Sequence, residues 1–249
     1  MNCIFICVFN QIQYVDMLYL LLESLYIYGN VGNNVELLIY TSTNFMGMIK
    51  NSEFYRTHLI KFEINDTYNS IDAACKSRLD IFLLNVEKYE KILYIDIDII
   101  IRNDINKLFD ICGDDLLYVL EEGHIDDISD YWGKILFGDD IDKYEDNTAF
   151  TSGILLFKNC EKMKFLFNMI NEDIINRPRD FLCYDQPYIV YNSFKYRLYN
   201  NKILKEFVIN NSDDVNSGKV IHHFPGGPGM YKNKMERMRK YLNNISSVI

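Results

Sequence analysis

The sequence predicts an α/β domain built on a mainly parallel sheet with helices on both faces. Three observations predict it. Through the first half, strand-length apolar runs alternate with segments of helical periodicity. The oily run Leu93-Tyr94-Ile95-Asp96-Ile97-Asp98-Ile99-Ile100 is broken only by two carboxylates at alternate positions, and near the C-terminus a short apolar strand runs directly into a Gly/Pro loop. In such a sheet, ligands belong outside the carboxyl ends of the strands.

Each element follows from its local pattern. Cys3-Ile4-Phe5-Ile6-Cys7-Val8-Phe9 reads as a first strand, since it is too short to cross a bilayer and lacks the charged start and cleavage site of a signal peptide. A helix is expected over 14–28, a strand over 35–40, a short helix over 43–51 and a strand over 58–63. A helix over 70–85 and a strand over 91–95, ending at the two Asp, complete the regular half. Beyond it come strand-like runs at 116–120 and 153–158, separated by the polar segment 121–147. That segment holds the single tryptophan, Trp132, beside Tyr131, and its length marks it as a functional loop or lid. Helical periodicity covers 160–176, stopping before Pro178, and then 184–193. Short strands near 203–209 and 219–223 precede the loop Pro225-Gly226-Gly227-Pro228-Gly229. A last helix, 230–244, carries Lys232, Lys234, Arg237, Arg239 and Lys240, a charge run that reads as a solvated face.

Bulk properties bound the function. A chain of 249 residues, 49% hydrophobic, forms a full core as one domain. A net charge of −9 excludes general nucleic-acid binding, which needs a basic face, and no stretch reads as a membrane span. Six cysteines without Cys-x-x-Cys spacing, mostly in apolar runs, read as reduced thiols, which places the chain in the cytoplasm. Asn-x-Ser/Thr matches beginning at Asn65, Asn210 and Asn244 are chance in an Asn-rich chain.

Four groups of residues carry chemistry. Asp96 and Asp98 fall on the same side near a strand end, where they repel and are costly to desolvate without a compensating cation. All-oxygen carboxylate ligation suits Mg²⁺ or Mn²⁺; the competing reading is a pair of solvated turn residues. Arg78 shares the apolar helical stripe of Ile71, Ala74, Cys75 and Phe82, so its guanidinium either meets an anion or snorkels to water. His222 and His223 point oppositely along their strand, so one faces the site, and the glycines after them let amides approach a phosphate unless they serve only as a turn. Asp185-Gln186 is a polar pair at the start of a helix, which it would also suit as a cap.

Taken in order, these elements resemble the retaining glycosyltransferases of the glycogenin and bacterial lipopolysaccharide galactosyltransferase type, the eighth sequence family of nucleotide-sugar transferases. The resemblance implies the GT-A type of α/β fold, a single Rossmann-like domain with a mainly parallel mixed sheet flanked by helices. Residues 1–103 would be its nucleotide-binding half, ending in Asp-x-Asp, and 104–249 its acceptor-side half, with a C-terminal metal and phosphate loop and helix. Asn10, Tyr14 and Ser24-Leu25 are similar to the first strand–loop–helix, whose tyrosine lies over uracil. Arg78-Leu79 and Tyr94-Ile95-Asp96-Ile97-Asp98 are similar to the basic residue and the metal site, with Ile97 beside the donor. Phe150-Thr151-Ser152-Gly153-Ile154 resembles Phe-Asn-Ser/Ala-Gly-Val, Asp185-Gln186 the family's Asp-Gln, and His223-Phe224-Pro225-Gly226 its His-x-x-Gly. The resemblance makes Asp96, Asp98 and His223 the metal ligands.

Two positions depart from the pattern. Thr151 stands where the family has a sugar-contacting Asn, which leaves the donor sugar open. Gly229 stands where His-x-x-Gly-x-x-Lys places the diphosphate lysine, a contact that would pass to Lys232 or Lys234.

What the resemblance implies is Mn²⁺- or Mg²⁺-dependent transfer from a UDP-sugar to a glycan, protein or small-molecule hydroxyl, with retention at the anomeric carbon. Asp185, Gln186 and Arg78 would be catalytic, with Asp185 beside the sugar. Phe9, Asn10, Tyr14, Arg78, Ile97, Thr151, Ser152, Gly226 and Lys232 would hold the donor. A homodimer is compatible with this reading. Competing readings are an inactive sugar-nucleotide or glycan-binding module, which Thr151 and Gly229 would suit, and a sugar nucleotidylyltransferase, whose glycine-rich basic signature near the first strand is missing.

Overall fold

Alternation along the first strand organises the molecule. In this computed structural model, which describes residues 1–226 and 231–246 except the side chains of residues 231 and 232, Ile4, Ile6 and Val8 enter one core. Cys3, Phe5 and Phe9 enter another on the opposite face of the sheet. The strand is β1 (Asn2–Val8), followed by α1 (Ile12–Tyr28), β2 (Val35–Thr41), α2 (Thr43–Lys50), β3 (Ile60–Ile64), α3 (Ile71–Lys76) and β4 (Lys91–Ile95). Next come β5 (Ile99–Ile101), α4 (Asn106–Ile111), β6 (Leu117–His124), α5 (Lys134–Phe137), β7 (Thr148–Lys158), α6 (Glu161–Asn176) and α7 (Gln186–Tyr196). The chain closes with β8 (Tyr199–Asn200), β9 (Val208–Asn210), β10 (Ile221–His223) and α8 (Tyr231–Ser246).

Seven strands form one sheet in the order β3-β2-β1-β4-β7-β6-β8, and three form a second in the order β5-β10-β9. The pairs β1–β2, β1–β4 and β2–β3 are parallel, as the strand–helix alternation predicts. β7 then runs antiparallel to both β4 and β6. The irregular second half of the sequence is therefore the antiparallel part of the sheet, where hairpin-like returns replace helical crossovers.

Four expectations are corrected. The run through Ile100 is not one strand: β4 stops at Ile95, and β5 belongs to the other sheet. The bend between them is pinned at both ends, with Asp96 N donating to Gly153 O at 2.8 Å and Phe224 N donating to Asp98 O at 2.9 Å. The helix expected over 70–85 is α-helical only to Lys76, after which Ser77–Leu83 tightens into 3-10 turns. Ser77 turns its hydroxyl back onto Ala74 O at 2.6 Å, a bond that competes with a regular helical ladder.

The segment 121–147 is not a structureless loop. β6 extends to His124, α5 and a 3-10 stretch at Gly138–Lys143 fill the middle, and β7 begins at Thr148. Trp132, only 8% exposed, packs on Gly123, which has φ of 64° and no room for a side chain: a Cβ there would lie 2.2 Å from the indole nitrogen. The strand expected near 203–209 is likewise a 3-10 turn, Leu204–Glu206, followed by β9. Gly229, within the C-terminal loop, lies outside the described residues. Among the described residues no helix is long and apolar enough to cross a membrane, and all six cysteines are free.

The second sheet is fastened to the first layer by Ser24 of α1. Its buried hydroxyl donates to Leu21 O at 2.8 Å and accepts from Ile101 N, on edge strand β5, at 3.0 Å. Ser24→Ala strands that amide in an apolar setting and is expected to lower stability by about 1–3 kcal/mol. Urea unfolding should show a lower midpoint with an unchanged slope.

Candidate active site

A cavity of about 580 Å³ opens where the carboxyl ends of β1 and β4 meet β7 and β10. That volume lies within the range of small-ligand sites, and its place beside the ends of the parallel strands is the expected one. Phe9, Tyr14, Arg78, Asp96, Ile97, Asp98, Thr151, Ser152, Gln186, His223 and Gly226 all line it. Among the sequence-predicted site residues, Asn10 and Asp185 do not line it, and the side chain of Lys232 lies outside the described residues.

One ligand atom each from Asp96, Asp98 and His223 lies within 4.8 Å of the other two. Asp98 is 3% exposed, and its Oδ1 has no hydrogen-bond donor among the described residues, although His223 Nε2 is 3.3 Å away. Its Oδ2 accepts from Lys234 Nζ at 2.5 Å. Burial alone would raise this carboxyl, but the Lys234 ammonium and the His223 imidazole outweigh it and hold Asp98 well below the usual carboxylate range. His223 Nδ1 faces Asn210 Oδ1 at 2.8 Å, which fixes the tautomer with the proton on Nδ1 and leaves the Nε2 lone pair facing the carboxylates. An orphaned buried carboxylate oxygen beside an imidazole acceptor and a second carboxylate is a donor set that fits Mg²⁺ or Mn²⁺.

The alternation along β10 works as expected. His222 points away from the cavity to Ser217 Oγ at 2.8 Å and Tyr241 OH at 2.9 Å, and burial lowers its pKa to about 4. A neutral imidazole here packs α8 against the sheet.

Arg78 does not snorkel. At 7% exposure its Nε lies 2.9 Å from Asp185 Oδ2, while its Nη1 donates to Ser152 O at 2.8 Å and to Asp96 Oδ1 at 3.3 Å. The guanidinium also lies over the Tyr94 ring at 5.2 Å, and the Tyr94 hydroxyl donates to Asp96. Asp185 stands at the N-cap position of α7, but its carboxylate makes no capping bond and turns instead to Arg78. Burial pushes its carboxyl up to about 6, against the pull of Arg78. Asp185 was expected beside the sugar; it is fully buried behind Arg78, as that cation's counter-ion.

Gln186 anchors the cavity wall. Its Oε1 accepts from Ser152 N at 2.9 Å and Ser152 Oγ at 3.1 Å, and its Nε2 donates to Tyr131 O at 3.2 Å. Thr151 Oγ1 accepts from Gly153 N at 3.3 Å. Gly153 explains itself: a Cβ there would lie 2.7 Å from His223 Cε1 and 3.0 Å from Asp96 Oδ2.

Sequence reasoning missed one charged residue here and assigned a second only in part. Glu122, at the end of β6, lines the cavity beside Thr151 and Asn210, and burial raises its carboxyl. Its signal was an acid pair, Glu121-Glu122, ending an apolar strand. Lys234, read both as part of a solvated face and as one of two lysines to which the diphosphate contact would pass, shares the buried stripe of Met238, Tyr241, Leu242 and Ile245 at helical spacing, the same pattern that singled out Arg78.

Comparison with known proteins gives this geometry its class. The family described as glycosyl transferase family 8 matches residues 36–192, more than half of the chain. The chain belongs to this family and is a glycosyltransferase of the GT-A fold. The galactosyltransferase LgtC, in complex with donor and acceptor sugar analogues, is similar over 96% of this chain and 95% of its own, at TM-score 0.62 and 15% identity. Mouse xyloside xylosyltransferase 1 is similar over 90% of this chain and 97% of its own, at TM-score 0.63 and 11% identity. The bifunctional glycosyltransferase WbbM matches 97% of this chain at TM-score 0.65 and 13% identity, and the chain spans 51% of its length. Comparison with curated protein sequences gave no significant match.

Gly153→Ala should push the His223 ring or the Asp96 carboxylate out of place. An Mn²⁺ titration followed by electron paramagnetic resonance is expected to show affinity lowered by about an order of magnitude or more.

Proposed function

We propose that this glycosyltransferase moves a sugar from a UDP-sugar to a hydroxyl of a glycan, protein or small molecule, with retention at the anomeric carbon and dependence on a divalent metal. The observation that carries the reading is the Asp96–Asp98–His223 cluster, with its orphaned Asp98 oxygen, on the wall of the cavity. These three residues would hold the metal. When bound, the metal supplies positive charge that stabilises the diphosphate as it leaves the sugar.

The remaining roles belong to the chain itself. Phe9, Tyr14 and Ile97 supply apolar and aromatic surface for the nucleobase at the β1 end of the cavity. Arg78, held by Asp185 and Ser152 O, fixes the position of the Asp96 carboxylate. Thr151, Ser152 and Gln186 present polar atoms to the sugar from one rigid wall, since Gln186 is tied to both Ser152 and Tyr131. Tyr131, Leu182 and Tyr184 also line the cavity and offer surface on which an acceptor ring would stack. On this reading residues 1–103 would be the nucleotide-binding half, and residues 104–249 the acceptor-side half that also carries the C-terminal metal and phosphate loop.

A screen of UDP-sugars with Mn²⁺, reading free UDP and intact-protein mass together, tests the reading. UDP release should require Mn²⁺ or Mg²⁺, stop with chelator and vanish in Asp98→Ala; release that persists in chelator, or no release from any donor, overturns it.

Arg78→Lys keeps the charge but loses the planar fork that spans Asp185, Ser152 and Asp96. Turnover is expected to fall about a hundredfold through misplacement of Asp96. Melting temperature measured alongside should move by only a few degrees, roughly 1 kcal/mol.

A further inference from the structure

Lys234, one of the two lysines to which the diphosphate contact would pass, rests on a different partner, the Asp98 carboxylate. α8 is docked by Met238, Tyr241, Leu242 and Ile245 against Met17, Ile100 and Phe224, with Tyr241 OH bonded to His222. That docking aims the first turn of the helix at Asp98. A cation in the first turn opposes the helix dipole, so Lys234 is poorly placed for the helix itself. It ends on Asp98 Oδ2 at 2.5 Å, with its side chain 18% exposed.

We propose that Lys234 and the divalent metal are alternative counter-ions of Asp98, and that the donor diphosphate draws the ammonium off the carboxylate as the metal takes its place. The inference rests on the metal-dependent reading above. Three features support it. Asp98 has only two oxygens: Oδ2 is held by Lys234, and Oδ1 faces His223. An ammonium and a divalent ion cannot share so small a carboxylate without strong repulsion. Lys234 lines the cavity on a flexible four-carbon stem, so its charge can move to a phosphate without moving α8.

The consequence is coupling. Metal alone must evict the ammonium, so its apparent affinity is reduced by the fraction of Asp98 free of Lys234. A diphosphate gives the ammonium another partner and removes that penalty. By linkage, the metal strengthens diphosphate binding by the same factor. The protein would then load metal and donor together rather than hold the metal at rest.

The test is an Mn²⁺ titration followed by the paramagnetic signal of free Mn²⁺, with and without UDP, on the wild-type protein, Lys234→Met, Lys234→Arg and Asp98→Asn. Without UDP, Lys234→Met should bind Mn²⁺ about tenfold more tightly than wild type, as expected for removing a competing charge from a buried pair. Lys234→Arg should remain near wild type. The factor by which UDP raises Mn²⁺ affinity should be smaller in Lys234→Met. Mn²⁺ should also raise its melting temperature more than that of wild type, a readout that holds if the variant is less stable alone. Equal or weaker Mn²⁺ binding by Lys234→Met, with an unchanged UDP effect, overturns the inference while leaving the metal site intact. Wild-type Mn²⁺ affinity in Asp98→Asn overturns the metal reading itself.

Discussion

Two carboxylates must stand side by side on a wall from which most water is excluded, and the surrounding structure answers that constraint. Ligand atoms of Asp96 and Asp98 lie within 4.8 Å of each other, where like charges repel by roughly 3–4 kcal/mol at an effective dielectric of about 20. The fold divides the burden. Asp96 leans on Arg78 and the Tyr94 hydroxyl, and Asp98 on Lys234. Arg78 is more than neutralised in turn, because the fully buried Asp185 also faces it. The site therefore carries excess negative charge with one carboxylate oxygen unanswered, an arrangement suited to receiving a cation that arrives with a phosphate.

The backbone route makes this possible. A strand continuing straight past Ile95 would carry both carboxylates into a ladder position between β1 and β7. The chain instead leaves the large sheet, bends through Asp96–Asp98 and enters the small one. Both bend ends are fastened by main-chain bonds, to Gly153 of β7 and to Phe224 after β10. Sites at a strand's carboxyl end are common in α/β folds; here the two sheets meet at that end, so the C-terminal segment contributes His223 and Lys234 as directly as the first half contributes the acids.

Much of this was legible in the sequence, for identifiable reasons. The parallel half alternates strand and helix with clean periods, so β1 through β4 fall close to their expected positions. The antiparallel half blurred because β6 and β7 pair across register shifts near Leu120 and Glu121, where polar residues break the period-two pattern. Arg78 was legible because a cation on an apolar stripe demands an anion. Lys234 obeyed the same rule, but four further basic residues on its helix made the whole run read as solvated. Asp185 was expected beside the sugar; its complete burial against Arg78 depends on long-range packing and could not be read from local pattern.

Trp132 is the only tryptophan in the chain, and it sits in the cavity wall on Gly123 of β6, 8% exposed. The protein's indole emission thus comes from one fixed chromophore at the mouth where sugar and acceptor would meet. Nineteen tyrosines spread through the chain can feed excitation to it, and Phe or Tyr elsewhere does not emit in its band. A ligand entering the cavity would lie against this indole, so its emission offers an optical gauge of occupancy built into the wall.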